Sequence, residues 1–153
     1  MCLNTFSECA KYAHKDITCY KVVKQLGEKI NGKPVYESPV YVHHYILGEE
    51  YTEENFSEWS EKSSYIGITS RVEKGFHTYT NFEAIQERFD AGTYNLRTHI
   101  VLKCVIPRGS LYFESFDSNQ YCSQRIKSVA EMRYISPGVW KERKWSRQLG
   151  TKE

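Results

Sequence analysis

The stretch from Arg97 to Ile106 alternates more regularly than any other part of the chain, and it restricts the possible folds most. Side chains on an extended chain point to opposite faces in turn. Ile100, Leu102, Cys104 and Ile106 therefore share one face, and His99, Val101, Lys103 and Val105 share the other. Apolar residues on both faces suit a strand covered on both sides, at the centre of a sheet. A chain carrying such a strand has to build a sheet around it.

The remaining pattern supplies partners for that strand. Residues 17–24 (ITCYKVVK) are β-branched and aromatic, and Gly27 with the NGKP string at 31–34 is turn chemistry, which predicts a hairpin. VYESPVYVHHYIL reads as two short extended pieces broken at Pro39. SYIGITS and GFHTY read as strands, as do SLYFESF and RIKSVAEMRYI, the last ending at the SPG turn of 136–138. One helix is predicted over 81–90: Thr80 and Glu83 have capping-box spacing, Phe82, Ile85 and Phe89 form its apolar face, and Gly92 closes it. The acidic stretch from Glu49 to Glu61 reads as a surface helix or loop that covers the body. These elements predict an α+β domain spanning 1–153, built on a single curved, mainly antiparallel sheet with this helix and one or two minor ones. A basic tail is expected from about residue 138.

At 153 residues the chain is the size of one domain, and 40% hydrophobic against 26% charged residues is globular usage. No apolar run approaches the roughly 20 residues that span a bilayer. The amino terminus lacks the apolar core of a secretory signal, so a cytoplasmic location with reduced thiols is expected. The five cysteines, at 2, 9, 19, 104 and 122, form no C-x-x-C pair and have no zinc spacing, so neither metal nor cofactor is expected. Cys2 would become a nucleophile only with Met1 removed, because the chain's own amine would be its base. A net charge of +2 argues against a nucleic-acid coat, yet eight Lys/Arg against three Glu follow from Arg125 onward, which suits either a solvated end or the lining of an anion site.

Four strings, CYKVV at 19–23, GFHTYTNFEAIQERF at 75–89, VLKCVIPRGSLYF at 101–113 and YCSQRIKSVAE at 121–131, occur in an order that resembles the ADP-ribosyltransferase fold. That resemblance implies a catalytic Glu near the start of the last strand, where this chain has Ser123, Gln124 and Arg125. A transferase needs that carboxylate to steady the developing ribose cation, so its absence points toward binding without catalysis. GFHTY, CVIPRGSLYF and YCSQRI also look like strings of small proteins carried by bacteriophages and gut Bacteroidota, some of which sequester nucleotide immune signals. This likeness implies a phage-encoded anti-defence protein that binds an ADP-ribose-type or cyclic nucleotide. YIGITS is similar to half of the GIY-YIG nuclease signature, whose other half has no counterpart here.

Such a binder needs aromatic faces for a base, cations for phosphate and polar groups for ribose. Tyr20, Tyr79 and Tyr121 are the expected stacking rings, Lys21, Arg71 and Arg125 the phosphate contacts, and His77 and Ser123 the ribose contacts. His77, Tyr79, Tyr121 and Arg125 are expected to converge on one pocket, because their elements flank the central strand. Two alternatives stand beside this: an enzyme using His77 with Glu131 or Glu114, and a protein-interaction module. The expected partner is a small nucleotide ligand, with no membrane; the sequence leaves oligomer formation open.

Overall fold

A computed structural model describes residues 10–30, 33–38, 44–56, 61–62, 70–71, 75–115 and 119–144. In chain order the elements are β1 (Lys11–Tyr12), β2 (Ile17–Ile30), β3 (Lys33–Glu37), β4 (His44–Ile46), β5 (Glu50–Thr52), β6 (Glu61–Lys62), β7 (Ser70–Arg71), β8 (Phe76–Tyr79), α1 (Glu83–Asp90), β9 (His99–Ile106), β10 (Leu111–Glu114), β11 (Gln120–Ser123), β12 (Arg125–Ser136) and β13 (Val139–Lys144). Eleven strands form one antiparallel sheet in the order β1-β10-β11-β8-β2-β9-β12-β13, with β3 and β5 added beside β2 and β12 and β4 beside β3. β6 and β7 pair separately.

The alternating strand is central, as its pattern requires. β9 lies between β2 and β12, and Ile100, Leu102, Cys104 and Ile106 are all buried. Val101 is buried too, so both faces are covered here. On the inner face these residues join Cys19, Val23, Tyr36, Tyr45, Leu47, Phe76 and Ile126 in one cluster, against which Tyr112 and Tyr121 pack. Strands far apart in the sheet order meet in this cluster, which means the sheet curls around it. The outer face carries α1, whose Ile85 and Phe89 pack on Val22 and Val101, flanked by Phe82, Tyr94, Met132, Tyr134 and Trp140.

Four expectations change. The helix begins two residues later than predicted, and just before it Asn81 Oδ1 accepts the Ala84 N–H at 3.1 Å. Asn81 lies three residues before Ala84, the spacing at which a side-chain oxygen reaches a first-turn N–H. With one eight-residue helix among the described residues, the minor helices are not found there, and the structure is chiefly an antiparallel sheet rather than a balanced α+β domain. Glu50–Thr52 forms no cover: it pairs with Arg125–Lys127 of β12, because Tyr51 turns inward and meets Tyr45 edge-on at 5.5 Å. The supposed basic tail is strand β13 as far as Lys144, hydrogen-bonded along β12, with Trp140 packed against Phe82 and Phe89. Cys2, Pro39 and most of SYIGITS lie outside the described residues. No helix among the described residues is long and apolar enough to cross a membrane.

Cys19 and Cys104 face each other across the β2–β9 ladder with almost no exposure. Burial pushes the Cys19 thiol from 9.0 up to about 12, against the opposing pull of Thr78 and Lys21. Burial also raises Cys104. A raised thiol keeps its proton in the folded state, so its stabilising effect is complete below pH 9 and is lost as pH rises toward 12. Folding stability should therefore fall above pH 9 by about 1.4 kcal/mol per pH unit for each such proton. Urea midpoints at pH 8, 9, 10 and 11 check this. A flat profile would contradict it.

Candidate functional site

One irregularity in β12 builds the most chemically specific feature of the molecule. Ser128 pairs with Cys104, but Ala130 pairs with Lys103, which leaves Val129 as an extra residue. Such a bulge shifts the alternation by one place and re-aims every side chain beyond it. Before the bulge Ile126 and Ser128 face inward. After it Glu131 and Arg133 face inward, while Met132 and Tyr134 turn out to meet α1. Gly48 pins the bulge: its N–H donates to the Ser128 carbonyl at 3.0 Å and to Ser128 Oγ at 3.2 Å. Gly48 has φ +87°, a conformation other residues rarely adopt.

β13 returns along β12 after the Pro137–Gly138 turn, with Arg143 opposite Glu131 and Lys141 opposite Arg133. Paired residues share a face, so four charged side chains form a block on the inner side of this hairpin. They line a pocket of about 130 Å³. Glu131 is 4% exposed. Its Oε1 accepts from Arg133 Nη2 at 3.2 Å, and its Oε2 accepts from Arg143 Nη2 at 3.2 Å and from the buried Tyr36 hydroxyl. Burial and then Glu131 raise Tyr36 far above the usual phenol range, so this hydroxyl remains a donor. Arg133 Nη2 also donates to Gln25 Oε1 at 2.9 Å.

Among the described residues the pocket is lined by three cations and one carboxylate, and that carboxylate is already engaged by three donors. Arg133 and Lys141 stand directly opposite each other, an arrangement that repels unless an anion lies between them. Among the described residues no acceptor pairs with Lys141. The arrangement can hold an anion: fixed guanidinium forks suit bidentate oxyanion contacts, and the buried carboxylate sets their orientation.

The residues expected from sequence lie elsewhere and do not converge. Tyr20 and Tyr79 are opposite each other in the ladder on the outer face, where Tyr20 packs on Phe82 at 5.4 Å and Tyr79 accepts from Arg88 at 2.6 Å. Both serve the helix packing. His77 shares this outer face with Cys122, its Nε2 3.6 Å from the sulfur. Tyr121 and Ser123 pair with Thr78 and Phe76, one place out of step, and so face inward; Tyr121 meets the Tyr112 ring at 5.6 Å and Ser123 is fully buried. Lys21 also faces inward, donating to the His77 carbonyl at 2.8 Å with its ammonium 5.9 Å from the Tyr45 ring. Arg125 donates to Ser110 Oγ at 3.1 Å and the Arg108 carbonyl at 2.9 Å, and meets Glu50 at 3.6 Å, so it clamps the turn before β10. Arg71 lies in β7; its side chain is outside the described residues. The expectation of one pocket fails because it assumed that neighbouring strands place their residues in step. Glu131 and Glu114 face inward and His77 outward, so neither carboxylate joins His77 in an active site.

Sequence reasoning missed Arg133, Lys141 and Arg143 as a group. The signal was present as E-x-R at 131–133 and K-x-R at 141–143 on either side of a Pro-Gly turn, a spacing that places all four on one face of a hairpin. Among the described residues no cluster of three or more His, Cys, Asp or Glu could hold a metal ion. No protein-family description matches the chain, and no curated protein or solved structure matches it.

Proposed function

We propose that this protein binds and sequesters a nucleotide-derived small molecule without transforming it, holding the ligand's anionic end in the β12–β13 cradle. The observation that carries this reading is the pocket itself, in which Arg133, Lys141 and Arg143 surround a single carboxylate. Among the described lining residues three cations stand against Glu131, an excess of positive charge that favours an anionic partner. Binding is favoured over turnover because the one buried carboxylate already accepts three hydrogen bonds, which leaves it poorly suited to act as a base. The wider proposal, a phage-encoded sink for an ADP-ribose-type or cyclic nucleotide signal on an ADP-ribosyltransferase-like sheet, rests on the sequence strings alone. Within it the stacking role first assigned to Tyr20, Tyr79 and Tyr121 is replaced by recognition of the charged end.

The test is to incubate the purified full chain with NAD, cyclic dinucleotides and nucleoside phosphates, remove free ligand, denature the protein and analyse what is released by mass spectrometry. Release of an unchanged nucleotide is expected, and 0.5 M salt should reduce its retention because the contacts are ionic and partly exposed. A chemically altered product would make the protein an enzyme. Retention of none of these compounds would remove the reading.

A further inference from the structure

Three numbers limit what can enter the cradle. The pocket volume is about 130 Å³, well below the roughly 300 Å³ at which sites for whole small molecules begin. A base and ribose therefore stay outside. The rings that might stack on a base, Tyr134 and Trp140, pair with each other on the opposite face, 5.1 Å apart and packed under α1. The charge of the described lining residues is +2 after Glu131 is subtracted from Arg133, Lys141 and Arg143.

We propose that the cradle is a site for a terminal phosphate dianion, the phosphomonoester end of a nucleotide, seated between Arg133 and Lys141 with Arg143 beside it. This deepens the function proposed above, rests on it for the nucleotide part of the ligand, and replaces its ADP-ribose-type and cyclic ligands, whose phosphates are internal, with a nucleotide that ends in a free phosphate. A phosphomonoester carries about −1.5 to −2 at neutral pH and so matches the cradle's charge, whereas each phosphate of a cyclic or internal diester carries about −1. Geometry selects in the same direction. A terminal phosphate projects as a single small tetrahedral group that a shallow basic pocket can surround, while a diester is flanked by sugar on both sides and cannot be inserted end-on. An anion there would also offset the charge of Lys141, which stands directly opposite Arg133 in the ladder while Glu131 pairs with Arg133 and Arg143. Arg133 is well placed for this: its Nη2 is committed to Gln25 and Glu131, which fixes the plane of the guanidinium, and its side chain keeps 37% of its exposure. Tyr36 and Glu131 act as positioning residues behind it.

Calorimetry on the full chain at constant ionic strength, with inorganic phosphate, pyrophosphate, AMP, 3′,5′-cyclic AMP and acetate as separate titrants, tests this. AMP should bind at least about tenfold more tightly than cyclic AMP, and phosphate should compete with it. Lys141→Gln should weaken AMP about tenfold while leaving the melting temperature unchanged or higher, because it removes a like-charge pair; a purely structural lysine would not change binding. Cyclic AMP binding as tightly as AMP, or AMP affinity unchanged in Lys141→Gln, would overturn the terminal-phosphate site while leaving a nucleotide-binding function standing. Binding of phosphate and pyrophosphate but of no nucleotide would keep the anion site and overturn the nucleotide reading. Binding of none of the five would end both.

Discussion

Glu131→Ala should lower the stability of the protein by about 3 kcal/mol or more. The carboxylate is 4% exposed and accepts from Arg133, from Arg143 and from the buried Tyr36 hydroxyl, so its removal takes away the group that ties both strands of the hairpin to β3. Breaking a buried ion pair by removing one partner costs about 3 to 5 kcal/mol, of which stranding a buried hydroxyl accounts for about 1 to 3. The two guanidiniums are partly exposed and recover some hydration, which keeps the expected loss at the lower end of that range. Urea denaturation of the variant measures the loss. An unchanged midpoint would mean that this carboxylate does not hold the hairpin to Tyr36.

Phe89→Ala should destabilise the protein by about 3 to 5 kcal/mol. Phe89 is 2% exposed and holds α1 to the sheet, with ring centroids 4.8 Å from Tyr94, 5.1 Å from Trp140 and 5.6 Å from Tyr134. The helix has only eight residues and is too short to persist by itself, so its order depends on this anchor. Removing the ring opens a cavity between rigid aromatic neighbours that cannot collapse to fill it. Phe89→Leu, which keeps most of the volume, should cost less than half as much. Thermal melts of the two variants separate packing from propensity: equal losses would show that the ring's shape and not its volume is required. Because Tyr134 and Trp140 belong to β12 and β13, the same contact steadies the hairpin whose other face carries Glu131, Arg133, Lys141 and Arg143.

The predicted effects on the cradle follow from how it is shared between two strands. Glu131 and Arg143 come from opposite sides of a ladder, as do Arg133 and Lys141, so neither strand alone presents an anion site. The hairpin is an edge of the sheet, and charged residues along β13 also discourage pairing with another chain. The proposed anion site is compatible with this, since edge protection needs charge of either sign.

The sheet could be read from local pattern. The alternation of Ile100, Leu102, Cys104 and Ile106 against Val101 and Val105 placed β9 at its centre, since a strand covered on both sides carries that pattern, and the Phe82, Ile85 and Phe89 spacing located α1. Gly92 and the Pro137–Gly138 turn were equally legible, because their chemistry is local. Only the tertiary structure decided which residues form the candidate site. Period-two reading holds as long as a strand is regular, and the extra residue at Val129 leaves no mark in composition, because it arises from how Gly48 meets the Ser128 carbonyl across 80 positions of sequence. The register between β8 and β11 was likewise invisible: it sets Tyr121 against Thr78 and not against His77, and one residue of stagger separates the expected pocket onto two faces. Faces within a strand are a local property of the backbone, whereas the phase between strands is fixed by long-range pairing and by the core that pairing buries.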